Sequence, residues 1–173
     1  MPTDSDLGVS LRAVEPADID CLFSAENDTQ LWKYSNRFQP YSRQLLTDYI
    51  AQAHRDIFEI RQLKFTILSP DSIAIGFIDL YDFEPLHHRA GIGLVVEKDF
   101  RKKGYGNAAL GLLEDYAKVH LQMHQLYAHI AVENQTSICM FENRGYNFVG
   151  TRKDWNFYEG RYHDEAIYQK ILK

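Results

Sequence analysis

Apolar positions along the chain alternate between strand-like runs and helical stripes. Ser10–Val14 predicts a short strand, and Glu15-Pro16-Ala17-Asp18 opens a helix, with Pro16 in a first turn where its missing N–H costs nothing. A second helix is predicted from a Ser42 cap, because Leu46, Tyr49, Ile50, Ala53 and Ile57 recur at helical spacing. Between them lies an aromatic-rich stretch, Trp32 to Tyr41. Three strands follow, Lys64–Leu68, Ile73–Phe83 and Arg89–Glu97, the first two separated by the turn-forming Ser69-Pro70-Asp71-Ser72. Gly106–His120 carries Ala109, Leu112, Leu113, Tyr116 and Ala117 on one helical face. Leu126–Val132 reads as a strand, and Ser137–Asn143 as a short helix stopped at Gly145. Tyr146–Tyr158 and Tyr162–Ile171 read as two strands joined across Glu159-Gly160, a hairpin turn.

The resulting order is β-α-α-β-β-β-α-β-α-β-β. Strand hairpins surround one strand–helix–strand crossover, which predicts an α/β protein with a mixed sheet rather than a doubly wound parallel one. Residues 1–9 read as a flexible tail and 10–173 as a single domain. At 173 residues, 45% hydrophobic and 25% charged, the chain can bury one sizeable core. Its formal net charge of −5 argues against nucleic acid as a partner and suits a cationic acceptor. No apolar run approaches the roughly 20 residues that span a bilayer. Met1 to Gly8 is polar and acidic, unlike a signal peptide, so a cytoplasmic protein is expected. Cys21 and Cys139 form no ligand cluster and are expected to be reduced thiols.

The chemistry concentrates where an apolar strand, Gly91 to Glu97, runs through Lys98-Asp99-Phe100 into Arg101-Lys102-Lys103-Gly104-Tyr105-Gly106-Asn107 and a helix. Glycines let backbone N–H groups converge, and a helix N-terminus adds about half a positive charge, which together suit a pyrophosphate. Three consecutive cations would strengthen the site. Gly104 to Ala109 also fits GxGxxA, but too little chain follows for a dinucleotide fold and no acidic residue stands about 20 positions on. GKS or GKT is absent, which excludes a P-loop. An ordinary surface turn remains open on this loop alone.

A second block, Asn134-Gln135-Thr136-Ser137 with Phe141 and Gly145-Tyr146, follows the next strand. Arg101-x-x-Gly104-x-Gly106 together with this block resembles the acetyl-CoA signature of the GNAT N-acetyltransferases. The likeness runs from about Leu11 to Leu172. Within the family, Leu11 to Asp18, Gly76 to Asp79, His88 to Ala90 and Trp155 to Asp164 are most similar to the spermidine and diamine acetyltransferases.

The resemblance implies a central, mostly antiparallel sheet of about seven strands, with flanking helices and two splayed parallel strands, Arg89–Glu97 and Leu126–Val132. It implies acetyl-CoA as co-substrate, with its arm on the backbone of Leu94, Val95 and Val96. The pyrophosphate would sit on Arg101, Lys102, Lys103, Gly104, Tyr105, Gly106 and Asn107, and Asn134, Ser137 and Phe141 would line the far side. The Val95 N–H would stabilise the oxyanion as the amine attacks directly in a ternary complex.

Proton handling departs from the family pattern. Phe141 stands where many relatives carry a proton-donating Tyr, so Tyr146 or Tyr105 is the acid candidate. Gly91 stands where relatives often carry a carboxylate base, which leaves His129, on the second splayed strand, as the base candidate; a core histidine is the competing reading. Trp32, Tyr34, Phe38 and Tyr41 fall where the family's acceptor lid lies, with ordinary helix packing as the alternative, and Glu26, Asp28, Asp79, Asp82 and Glu84 could hold an ammonium. Ser35-Asn36-Arg37-Phe38-Gln39 brings an Arg where polyamine enzymes carry acids. His120 and His124 have zinc-compatible spacing but no further ligand, and no metal is expected. The expected acceptor is a small diamine-like or polyamine-like amine. A protein N-terminus, an antibiotic amine and a non-catalytic acyl-CoA sensor are the alternatives. Exposed strand edges make a homodimer a further expectation.

Overall fold

The computed structural model of the protein describes residues 7–35 and 39–172. Among the described residues seven strands form one sheet in the order β1-β2-β3-β4-β5-β7-β6. They are β1 (Ser10–Ala13), β2 (Leu63–Leu68), β3 (Ala74–Glu84), β4 (Arg89–Val96), β5 (Gln125–Ala131), β6 (Asn147–Tyr158) and β7 (Arg161–Ile171). Only β4 and β5 are parallel; every other pair is antiparallel. The expected mixed sheet with one central parallel pair is what the chain forms.

Strand alternation sorts the side chains onto two faces. Ile78, Leu80, Ala90, Ile92, Leu126, Ala128 and Ile130 join the larger core beneath α5 (Tyr105–Val119) and α6 (Gln135–Asn143). On the opposite face α1 (Ile19–Asn27) and α3 (Arg43–Gln52) cover Phe77 and Val95 through Leu22, Leu46 and Ile50. Gly91, Gly93 and Val95 of β4 share this second face with Tyr127 and His129 of β5.

Two short helices were not anticipated. The α2 helix (Thr29–Trp32) is started by Asp28, whose side chain accepts from Gln30 N–H. The α4 helix (Ile57–Ile60) is started by Asp56 in the same way. Ile57 therefore belongs to α4 and not to the stripe of α3, which ends at Gln52. The tail also ends sooner than expected: Val9 is fully buried in the core. Met1 to Asp6, and Asn36, Arg37 and Phe38 of the expected acceptor lid, lie outside the described residues. Among the described residues no helix is long and apolar enough to cross a membrane. Both cysteines are free.

One buried polar knot holds the start of the chain to the sheet. Asp18 is 2% exposed and takes 2.7 Å hydrogen bonds from both terminal guanidinium nitrogens of Arg12 and from the Thr66 hydroxyl, with a fourth from the Glu15 N–H. Burial alone would raise its pKa. The bonds from Arg12, Glu15 and Thr66 outweigh burial and hold it below the ordinary carboxylate value.

Candidate functional site

β4 and β5 pair only over Arg89–Gln125, Ala90–Leu126 and Gly91–Tyr127. Beyond that rung β4 stays with β3 as far as Val96, and β5 stays with β7 as far as Ala131. The strands diverge, and the edge of β4 from Ile92 onward is left open.

Which backbone groups face the opening follows from register. In antiparallel pairs the hydrogen-bonded rungs alternate. Glu97 N–H bonds to the Ile75 carbonyl at 2.8 Å, so Val95–Phe77, two residues back, is also a bonded rung. The Val95 N–H is therefore committed to β3, which corrects its expected role as oxyanion donor. Leu94 and Val96 turn their backbone groups into the opening instead. The Val96 carbonyl takes a bond from Arg101 Nε at 2.7 Å, leaving the Val96 N–H and both Leu94 groups.

From β4 the chain passes through a single 3-10 turn, Lys98–Phe100, into the basic loop. Lys102 (φ 60°) and Gly104 (φ 88°) are left-handed, a backbone in which successive N–H groups turn to one side. Gly104 precedes α5 and no side chain caps that end, so the first N–H groups of the helix have no intrahelical acceptor. Gly106 is the floor of the cradle: an added Cβ would sit 3.4 Å from both Leu94 Cδ2 and Met140 Sδ. Lys102 and Lys103 are exposed beside it. Arg101 is held away from it. Its guanidinium bonds to Val96 and, at 3.1 Å, to Asp28, so this residue can serve an anion through its backbone alone. A cavity of about 390 Å³ opens beside this ion pair, between Asp28, Thr29, Glu97 and Lys98.

The second block sits opposite. Asn134 caps α6 by accepting from the Ser137 N–H at 3.2 Å. Phe141 is 4% exposed and meets the Tyr146 ring edge-on at 4.9 Å, so it is a core residue first. Gly145 (φ 82°) turns Tyr146 back beneath α5, where it is 3% exposed. Burial and the neighbouring Glu114 push its hydroxyl far above the usual tyrosine pKa. Tyr146 is thus sealed on the α5 face and is a poor choice of proton donor to the opening.

Two acidic residues expected to hold the acceptor are engaged within the protein. Asp79 bonds to the Lys64 ammonium and to Gln62, each at 3.0 Å. Burial opposes the charge on Lys64, but Asp79, with Tyr49 and Glu26 adding to it, outweighs burial and raises the Lys64 pKa. Glu84 faces Arg61 at 3.5 Å and accepts from the Leu86 N–H, bracing the β3–β4 turn. Trp32 donates to the Glu26 carbonyl at 3.2 Å, and Tyr34 is 40% exposed.

His129 lies two residues past the last β4–β5 rung, at Tyr127, and so on the same α1–α3 face. Its Nδ1 is 3.6 Å from Glu165 Oε1, and its ring is 5.3 Å from Tyr127. Burial draws its pKa below the usual value against the pull of Glu165, with Arg152 adding to the lowering. Glu165, which sequence reasoning missed, is held by Arg152 and Asn156, each at 3.2 Å. Its only sequence signal was its place on the same alternating face of β7.

The Acetyltransferase (GNAT) domain model matches residues 9–147. The chain is 24% identical over 156 residues to a spermidine N(1)-acetyltransferase of Vibrio cholerae, covering 90% of this chain and 88% of that protein. It is 23% identical over 154 residues to the Escherichia coli K12 spermidine N(1)-acetyltransferase, covering 89% and 81%. The crystal structure of the Vibrio cholerae spermidine N-acetyltransferase with CoA and spermine superposes with a TM-score of 0.87 over 95% of each chain, at 22% identity.

Proposed function

The chain belongs to the GNAT acetyltransferases, and from that premise we propose that it acetylates a primary amine of a small diamine-like or polyamine-like acceptor by direct attack in a ternary complex. Acetyl-CoA is the co-substrate of this family, and the residues present fit it. The left-handed Lys102 and Gly104, the uncapped start of α5 and the exposed Lys102 and Lys103 form an anion cradle. The open edge of β4 offers Leu94 and Val96 to an amide-bearing arm. Bound acetyl-CoA supplies an activated thioester carbonyl. The single observation that carries the reading is the juxtaposition of the β4–β5 opening with this cradle on one continuous segment, residues 91–107.

The N–H groups of Leu94 and Val96 are the donors available to a developing oxyanion on that edge. His129 is the group placed to receive the proton of the amine. Its depressed pKa leaves the imidazole neutral at pH 7, the form able to accept. Because the pKa is lowered, any acid limb due to His129 lies below about pH 6.5. His129→Ala is expected to lower kcat about 100-fold and to abolish that limb. An unchanged pH–rate profile in the variant would remove His129 from the mechanism. The likeness to spermidine acetyltransferases supports a cationic aliphatic acceptor.

The deciding experiment is acetyl-CoA titration by calorimetry, followed by thiol release against a panel of diamines, polyamines, N-terminal peptides and aminoglycosides. Turnover on a diamine or polyamine supports the reading; turnover confined to the peptides or aminoglycosides redirects it. Binding of acetyl-CoA without turnover of any amine sinks it in favour of an acyl-CoA sensor.

The homodimer reading is supported by the β6–β7 hairpin, where Phe148, Val149, Trp155, Phe157 and Tyr162 are each more than half exposed. Among them Phe157 and Tyr162 meet edge-on at 5.0 Å, an exposed aromatic pair near the end of the hairpin. Light scattering is expected to give a multiple of the 20.2 kDa chain mass, and a monomer at assay concentration would refute self-association.

A further inference from the structure

Gly91 and Gly93 make room for two β3 side chains to lie across β4. A Cβ on Gly93 would come within 2.7 Å of Asp79 Oδ1, and one on Gly91 within 2.4 Å of the Tyr81 ring and 2.9 Å of its hydroxyl oxygen. Asp79 is taken up by Lys64 and Gln62. Tyr81 is not. None of the hydrogen bonds among the described residues uses its hydroxyl. Its ring meets Tyr127 edge-on at 6.2 Å, and Tyr127 is the β5 partner of Gly91 in the last rung before the strands part. The hydroxyl therefore stands at the apex of the opening, on the same face as His129. The backbone supports this placement: the β3–β4 register slips between Tyr81 and Glu84, with Asp82 at φ 47°. An irregularity of this kind re-aims the side chains beside it.

We propose that the Tyr81 hydroxyl is a specificity-determining group of the acceptor site, accepting an N–H of the incoming primary amine at the apex and turning the nitrogen lone pair toward the thioester carbonyl. The inference rests on the amine-acetylation reading. The rings of Tyr81 and Tyr127 add π surface beside the amine carbon chain. Burial pushes the Tyr81 hydroxyl above the ordinary tyrosine value, with Tyr127, Asp82, Glu165 and Asp79 all adding to the rise, so it stays protonated throughout the assay range. It acts as a fixed dipole and exchanges no proton. Neither Phe141, which has no hydroxyl, nor Tyr146, whose hydroxyl is sealed beneath α5, serves here.

Tyr81→Phe removes the oxygen and keeps the ring against Tyr127, so the fold is retained. The measurements are kcat/KM for the best amine of the panel, acetyl-CoA affinity, thermal midpoint, and the slow hydrolysis of acetyl-CoA without amine. The expected result is a loss of about tenfold or more in kcat/KM for the amine, with the other three unchanged. Equal amine turnover in wild type and variant overturns the proposal and leaves the acetyltransferase reading intact. A parallel fall in hydrolysis, affinity and midpoint also overturns it, because the role would then be structural. A wild type that turns over no amine removes the reading and the proposal with it.

Discussion

Gly104→Glu is expected to weaken acetyl-CoA binding at least about 100-fold, or about 2.7 kcal/mol. Gly104 is left-handed at φ 88°, directly before the uncapped N-terminus of α5. Space is not the obstacle, since the nearest atom to an added Cβ is Leu7 Cδ1 at 3.0 Å, the end of a flexible side chain. Two effects act together. A residue with a Cβ in this conformation costs roughly 1–2 kcal/mol of backbone strain. The carboxylate then places a negative charge where the helix end and the Lys102–Lys103 pair attract an anion. Gly104→Ala separates the two, carrying the strain without the charge. Calorimetry should rank wild type above Gly104→Ala and Gly104→Ala far above Gly104→Glu, with the Glu variant folded by circular dichroism. Equal affinity in all three would mean that the anion is bound elsewhere.

That cradle was legible because it is local. Its glycines, cations and helix start are contiguous, and their geometry follows from residue type. The Glu159-Gly160 hairpin was legible for the same reason: both residues have positive φ, at 51° and 76°, as a tight primed turn requires. What escaped depended on which strands lie side by side. The commitment of the Val95 N–H to β3 is a matter of register parity with Phe77, and a sequence carries no parity until its partner strand is known. Tyr81 reaches the opening only because Gly91 lies opposite it, ten positions away in sequence. Glu165 meets His129 through the β5–β7 pairing, and Asp79 is withdrawn from solvent by Lys64 through β2–β3. Residue type proposed the chemistry, and pairing decided which groups are free to perform it.

Asp18 presents the same lesson as a stability experiment. It was read from the sequence only as part of a helix opening, yet it joins β1, the 3-10 turn Pro16–Asp18 and β2 through Arg12, Glu15 and Thr66. Asp18→Ala leaves the fully buried Thr66 hydroxyl and a partly buried guanidinium without their acceptor. Removing one partner of such a pair costs about 3–5 kcal/mol. For a domain of this size that lowers the thermal midpoint by about 2–4 °C per kcal/mol. The pH dependence is a sharper test. The folded pKa of Asp18 is depressed, so the unfolded chain binds the proton first as pH falls. The contribution is therefore fully present above the unfolded value of about 3.9 and is lost as pH drops through the lower folded value. Urea unfolding of wild type and Asp18→Asn should differ by a constant amount between about pH 5 and 7, and the gap should close below about pH 4. A gap that persists unchanged into strong acid would show that the carboxylate charge contributes nothing and that shape alone holds the knot together.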